Sequence, residues 1–365
     1  MGRSMTPLKD QLAQAGISVT QGDGEPALET PWFVRTLQAI SGWLAAVFLM
    51  GFIALGAAFV IESSVASAAL GLAMIAGAYA LLRMAPGDFV EHLALAASLA
   101  GQLLVAWALG SALGDMTTSF WWGLLGLQAV LALAMPSLTH RTFSAFAASL
   151  ALYLALAESG VPHVAGGLVL LALTGIWLNE FRWPARLRPV QAWGHGLLLG
   201  LLAIQAAGSS GQSLLLGRYY PGGGPAWLGP WVGEALGALA LLLLLRHVFQ
   251  RHAQAIAPSV RVAAYGAVAG LMLVSLQAHG LTQGAVVVAL GFAIGNRLVM
   301  GLGVLSLLFA IGGYYYWLEV TLLTKALTLL ALGALLLAIR WAMRHGWRGG
   351  QGDDARGGEA EDTGR

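Results

Sequence analysis

The sequence has no cysteine and little charge, and each shortage excludes a class of protein. Because none of the 365 residues is Cys, the chain has no disulfide framework, no thiol nucleophile and no cysteine-ligated metal site. Only 10% of the residues are charged, which is too few to cover the surface of a soluble domain of this length. The net charge is +2 and the basic residues form no cluster, so the sequence does not favour nucleic-acid binding.

Long apolar blocks take the place of the missing charge. Hydrophobic residues make up 58% of the chain, and its mean hydropathy is +0.74. The blocks are about 16–24 residues long, roughly the length of helix that crosses a bilayer core. We therefore predict an all-α polytopic transmembrane bundle of about 12 spans, at residues 38–61, 65–82, 92–110, 119–135, 142–157, 164–179, 190–207, 231–248, 262–278, 281–295, 298–316 and 319–343. Because some blocks are short, ten spans with a re-entrant hairpin are an alternative.

The basic residues alternate between the gaps that separate these blocks. Of the 19 Lys and Arg residues, all except Arg218 and Lys325 lie near the two chain ends or in every second gap. Basic residues favour the cytoplasmic side of a membrane. The alternation predicts that both termini are cytoplasmic in a multi-pass protein.

Three regions follow from this pattern. Residues 1–37 are predicted to be a cytoplasmic segment with a short amphipathic helix. They lack the apolar core and cleavage site of a signal peptide, so we expect the first span to act as the insertion signal. Residues 38–344 form the predicted transmembrane domain, with an outer loop at 208–230. Residues 345–365 are Gly-rich and charged, which predicts a disordered cytoplasmic tail.

The last predicted span carries one stripe of polar residues. They stand at i, i+3, i+4 and i+7, which is one face of a helix: Thr321, Thr324, Lys325 and Thr328. A charge inside a span costs a few kcal/mol or more unless it is paired or hydrated. Lys325 therefore either lines a polar cavity, where it binds an anion or relays protons, or has a structural role. Its candidate partners are Glu234 and the hydroxyls of Tyr314, Tyr315 and Tyr316.

Other polar residues within the spans indicate packing. His195 is interpreted as a neutral packing residue, because no second ligand stands at metal-binding spacing on its helix. Gln102, Gln128 and Gln205 are predicted to hydrogen-bond between helices. The sequence shows no nucleophile elbow, phosphate-binding loop or paired carboxylates, so we predict no catalytic residue, metal site or cofactor.

The part of the chain from 291 to 340 resembles a known family. Gly295 and Asn296 suit a tight turn between helices, and Arg297 would anchor it on the cytoplasmic side. This turn and the run from Tyr314 to Lys325 resemble an uncharacterised family of bacterial inner-membrane proteins, domain of unknown function 4401. The resemblance implies a bacterial inner-membrane location and no established activity.

Two functional classes fit these observations. In the first, the protein is a packed multi-helix membrane component that contacts the lipid bilayer and a membrane-protein partner or further copies of itself. In the second, it is a carrier for a small polar or anionic solute, or a lipid, and Lys325 lines the path. We favour the first class and expect no enzyme activity. The sequence identifies no substrate.

Overall fold

A computed structural model of the chain describes residues 62–84, 87–114, 117–182, 184–209, 228–251, 258–275 and 280–317, with single positions between 33 and 60 and between 323 and 337. Within these residues the fold is all-helical, with ten α-helices and no strand. The helices are α1 Ser64–Met84, α2 Asp88–Leu113, α3 Thr118–Ala134, α4 Leu138–Glu158, α5 His163–Leu178, α6 Leu187–Ser209, α7 Leu228–Arg251, α8 Pro258–Ser275, α9 Leu281–Ala293 and α10 Arg297–Trp317. Two 3-10 turns, Glu180–Arg182 and Pro184–Arg186, connect α5 to α6.

These helices follow the apolar blocks of the sequence. Each predicted span from the second to the eleventh overlaps one helix, which confirms the all-helical prediction. Four helical segments are long and apolar enough to cross a membrane: Ser64–Met84, Phe89–Leu113, Pro184–Gly208 and Trp231–Arg251. The first and last predicted spans lie largely outside the described residues. The count of twelve spans and the side of the termini stay predictions.

The largest apolar core lies where α4 to α10 meet. Leu170 and Leu173 of α5, Leu198 and Leu201 of α6 and Leu290 of α9 are fully buried in it. A second, smaller core joins α1 to α3. Neighbouring helices form antiparallel hairpins, α1 with α2, α3 with α4 and α9 with α10, while α4 packs on α6 and α5 packs on α7.

Glycine allows some of these helices to touch through their backbones. A Cβ atom on Gly71 of α1 would lie 2.5 Å from the carbonyl oxygen of Gly101 on α2, and one on Gly101 would lie 2.6 Å from the carbonyl oxygen of Gly71. Small residues of this kind are typical of helix contacts in lipid, because backbones approach closely there.

The shortest of the described helices, α9, is largely buried in the bundle. Its 13 residues span roughly 20 Å, less than the apolar thickness of a bilayer. Val286, Val287 and Leu290 of α9 are fully buried, whereas Phe292 near its end is 80% exposed. Most of this short helix therefore packs against other parts of the protein.

The bundle has two chemically different ends. At one, Trp193 Nε1 of α6 donates to the carbonyl oxygen of Ala132 at 2.6 Å, and Ser137 Oγ donates to Glu91 Oε1 at 2.6 Å. These contacts bring the starts of α2, α4 and α6 together with Arg141 of α4, so we call this the basic end. Near the opposite end of α6, Gln205 bonds to Gly280, the residue that precedes α9.

Candidate functional site

A buried polar network lies at the end of the bundle opposite the basic end. We call it the Glu234 cluster, and five helices from α6 to α10 each contribute one side chain: Gln205, Glu234, Ser275, Thr282 and Ser306. Each of these residues is at most 8% exposed. Polar side chains inside apolar helices commonly face protein and mark functional or structural sites.

Glu234 of α7 is linked to the two following helices through one serine. Ser275 Oγ of α8 donates to Glu234 Oε2 at 2.7 Å, and it accepts the backbone N–H of Thr282 at 3.4 Å. The hydroxyl of Thr282 is itself buried and has no hydrogen-bond partner among the described residues. The arrangement provides a carboxylate and a hydroxyl beside the first turn of α9.

Gln205 of α6 ties the other half of the cluster together. Its Nε2 donates to the carbonyl oxygen of Gly280 at 3.1 Å, and its Oε1 accepts from Ser306 Oγ of α10 at 2.6 Å. Gly280 precedes α9 and has a left-handed backbone with φ 93°. The sequence-based expectation that Gln205 bonds between helices is confirmed.

The predicted polar stripe of Thr321, Thr324, Lys325 and Thr328 lies outside the described residues. The backbone of Tyr314, Tyr315 and Tyr316 forms the last turn of α10. The side chains of these three residues are not among those that the structure describes. The pairing of Glu234 with Lys325 therefore stays a prediction.

The predicted turn motif connects α9 to α10. Gly295 has a left-handed backbone with φ 70°, and Arg297 is the first residue of α10. Asn296 Oδ1 accepts the backbone N–H groups of Leu298 at 3.0 Å and Val299 at 3.3 Å. Asn296 thereby caps the helix that follows it.

A second buried network joins α2, α3 and α4. We call it the His140 cluster, and its members are Ser98, Gln102, Gln128, His140 and Ser144. Gln128 Nε2 donates to Gln102 Oε1 at 2.7 Å, which confirms that these two amides bond between helices. The histidine ring is held on both sides, since its Nε2 lies 2.8 Å from Ser98 Oγ and its Nδ1 lies 3.1 Å from Ser144 Oγ.

Ser98 and His140 are in contact, as the serine and histidine of a hydrolase are, but this pair lacks access for a substrate and an acidic group that orients the histidine. In hydrolases, a serine bonded to a histidine is reachable by substrate, and a third group orients the histidine. Here both side chains are 0% exposed, and the far ring nitrogen faces Ser144 rather than a carboxylate. The geometry is that of an interhelical link.

Sequence reasoning found the two amides of the His140 cluster but missed Ser98, His140 and Ser144. The available signal was the recurrence of polar residues four positions apart on apolar helices, as in Ser98 with Gln102 and His140 with Ser144. Among the described residues, no group of three or more His, Asp or Glu side chains could hold a metal ion.

His195 of α6 packs against an aromatic ring. The ring centroids of His195 and Trp177 lie 5.4 Å apart at 85°, an edge-to-face arrangement. The contact accords with a packing role. The other side of the imidazole lines a surface groove between α4 and α6.

The sequence matches a family profile described as "Domain of unknown function (DUF4401)" over residues 31–345. The chain belongs to this family. The match includes every helix described above and both buried clusters of the DUF4401 domain. No curated protein and no solved structure is significantly similar to the chain.

Proposed function

We propose that this DUF4401 protein is a packed, multi-pass component of the bacterial inner membrane, with about twelve spans and both termini in the cytoplasm. The observation that supports it is the distribution of polarity. The side chains of the Glu234 and His140 clusters bond to one another inside the bundle, whereas large apolar side chains such as Leu103, Val130 and Leu133 are more than 60% exposed. Lipid is the solvent that suits such a surface.

Basic residues at the ends of the helices support the proposed orientation of the chain in the membrane. Arg83 ends α1, Arg141 lies in the first turn of α4, and Arg297 begins α10. In the proposed arrangement these positions share the cytoplasmic side, as the distribution of basic residues requires.

Reporter fusions test this threading. Fusions of alkaline phosphatase, which is active only outside the cytoplasm, should be active after Gly114 and Gly160 and inactive after Met84 and Asn296. Fusions of green fluorescent protein at the same positions should give the opposite pattern. Reporters that place the two termini on different sides would contradict the proposal.

A second candidate function is solute transport, and the Glu234 cluster favours it. A carboxylate held where five helices meet is a common feature of transport pathways. In this hypothesis Lys325 pairs with Glu234, and the unpartnered hydroxyl of Thr282 contacts the solute.

The two functions can be separated with variants of the proposed ion pair. Glu234→Gln, Lys325→Met and the double variant would be compared for thermal stability and for uptake of small organic anions by proteoliposomes. A carrier should lose uptake in each variant while it stays folded. In a structural pair, each single variant lowers the melting temperature and the double variant regains part of the loss, because no charge is left alone.

A further inference from the structure

A groove runs between the first halves of α4 and α6. It is an open surface groove with a volume of about 880 Å³, within the size range of small-molecule sites. Each of the two helices contributes five of the residues that line it. They are Leu138, Thr139, Thr142, Phe143 and Phe146 from α4, and Arg188, Gln191, Ala192, His195 and Leu199 from α6. Leu138, Phe143 and Leu199 are exposed, so the groove opens sideways to the surroundings of the bundle.

The polarity of the groove changes along its length. At the basic end its mouth carries Arg188, which is exposed, whereas Phe146 and Leu199 line the far part. Arg188 and Leu199 are eleven residues apart on α6, about 16 Å along the helix axis. A cation at one end of an apolar groove matches an elongated amphiphile with an anionic head.

Two carboxylates at this end of the bundle, those of Glu91 and Glu180, accept hydrogen bonds from the uncharged side chains of Ser137 and Gln191. The nearby carboxylate of Glu180 is buried, and its Oε1 accepts a hydrogen bond from Gln191 Nε2 at 2.6 Å. Arg141 and Arg186 lie at the same end, close enough for their charges to repel each other. The excess charge at the mouth is therefore positive.

The groove is preformed because its two walls are locked together. Thr142 Oγ1 lies 3.1 Å from the carbonyl oxygen of Ala192 on α6 and 3.1 Å from that of Leu138 on its own helix, so its one proton is shared between the two helices. Gly196 lies against the backbone of Thr142, with no space for a side chain. A rigid site loses little conformational entropy when a ligand binds.

We propose that this groove binds one anionic phospholipid, with the phosphate at Arg188 and one acyl chain along Phe143, Phe146 and Leu199. The inference rests on the proposed membrane location, in which the basic end faces the cytoplasmic leaflet. Anionic lipids attract basic residues on that side. A phospholipid satisfies both the charge at the mouth and the exposed apolar wall.

Native mass spectrometry of the full-length protein in detergent tests the proposal. The protein would be titrated with phosphatidylglycerol and, separately, with phosphatidylcholine of the same acyl chains. We expect one phosphatidylglycerol to bind at least about fivefold more tightly than phosphatidylcholine, the factor that one basic side chain near a membrane surface supplies. Inorganic phosphate should not displace it, because the acyl chain contributes to binding.

Two variants and their matched controls locate the site. Arg188→Gln should remove the preference for phosphatidylglycerol, whereas Arg251→Gln, at an exposed arginine outside the groove, should retain it. Thr139→Trp should block the mouth and lower the affinity for phosphatidylglycerol. Leu133→Trp, at an exposed position on α3, should not lower it.

Equal binding of the two lipids would overturn the proposal, and so would an equal loss of the preference for phosphatidylglycerol in Arg188→Gln and Arg251→Gln. A third such result is a dimer that Thr139→Trp dissociates while the affinity for lipid is unchanged. The last result would show that a second copy of the chain occupies the groove. A reversed reporter pattern with lipid binding retained would contradict only the proposed threading. A correct pattern without lipid binding would contradict only the groove.

Discussion

Gln128 Nε2 donates to the side-chain oxygen Oε1 of Gln102 at 2.7 Å, and this bond joins α3 to α2 inside an apolar bundle. Gln102 in turn faces Ser98 at 3.2 Å, so the link continues into the His140 cluster. Both amides are 4% exposed. Gln128 Oε1 is buried without a hydrogen-bond partner among the described residues, so Gln128 depends on the bond that its Nε2 donates to Gln102. An unpaired buried group costs about 1–3 kcal/mol.

Replacing Gln102 should therefore destabilise the bundle. Gln102→Leu leaves the amide of Gln128 without its acceptor, and we expect the free energy of unfolding to fall by about 1–3 kcal/mol. Thermal or denaturant unfolding in detergent measures the change. The double variant Gln102→Leu/Gln128→Leu should lose less than the sum of the two single losses, because no amide is left unpaired. Strictly additive losses would contradict the proposed link.

The pair of Ser98 and His140 should be structural. Ser98→Ala removes the contacts of Ser98 Oγ with the imidazole ring and with Gln102 Nε2, and it should cost about 1–3 kcal/mol of stability. The wild-type protein should not be labelled by a serine-reactive fluorophosphonate, because both side chains are fully buried. Labelling that disappears in Ser98→Ala would instead identify an intramembrane serine enzyme.

The backbone at Gly280 should not tolerate a side chain. Gly280→Ala forces a Cβ into a left-handed conformation at φ 93° and to 2.8 Å from Gln205 Nε2. We expect a loss of about 1–2 kcal/mol from the backbone conformation alone, measured by thermal unfolding. The control is Gly266→Ala on α8, where a Cβ meets nothing within 4 Å. That change should stabilise the helix by up to about 1 kcal/mol.

The contact between α4 and α6 should depend on Gly196. A Cβ there would meet the backbone oxygen of Thr142, so Gly196→Ala must push the two helices apart, at a cost of about 1–3 kcal/mol. Gly175→Ala on α5 is the matched control, since a Cβ there meets open space. A melting temperature unchanged by Gly196→Ala would mean that the helices do not cross at this point.

Gly196→Ala should also change the groove, because the same crossing holds its walls together. We expect the variant to lose affinity for phosphatidylglycerol, while Gly175→Ala retains it. Native mass spectrometry of the two proteins side by side checks this expectation. If a destabilised Gly196→Ala protein still bound lipid, the lipid site would not depend on the crossing of α4 and α6 at Gly196.

The positions of the helices could be predicted from the sequence, whereas the polar contacts could not. Each apolar block between 65 and 316 became one helix, because a long apolar segment satisfies its own backbone hydrogen bonds internally when it is helical. Gln102 and Gln128 were expected to bond between helices, but nothing in the sequence specified that they bond to each other.

The sequence by itself determined the helical class, the positions of the segments to within about four residues and the family, since these depend on local composition and on order along the chain. Only the tertiary structure decided which side chains meet. His140 reaches Ser98 across 42 residues, and Glu234 reaches Ser275 across 41. Helical periodicity specifies the face on which a side chain lies, but the neighbour of that face depends on how the described helices pack together.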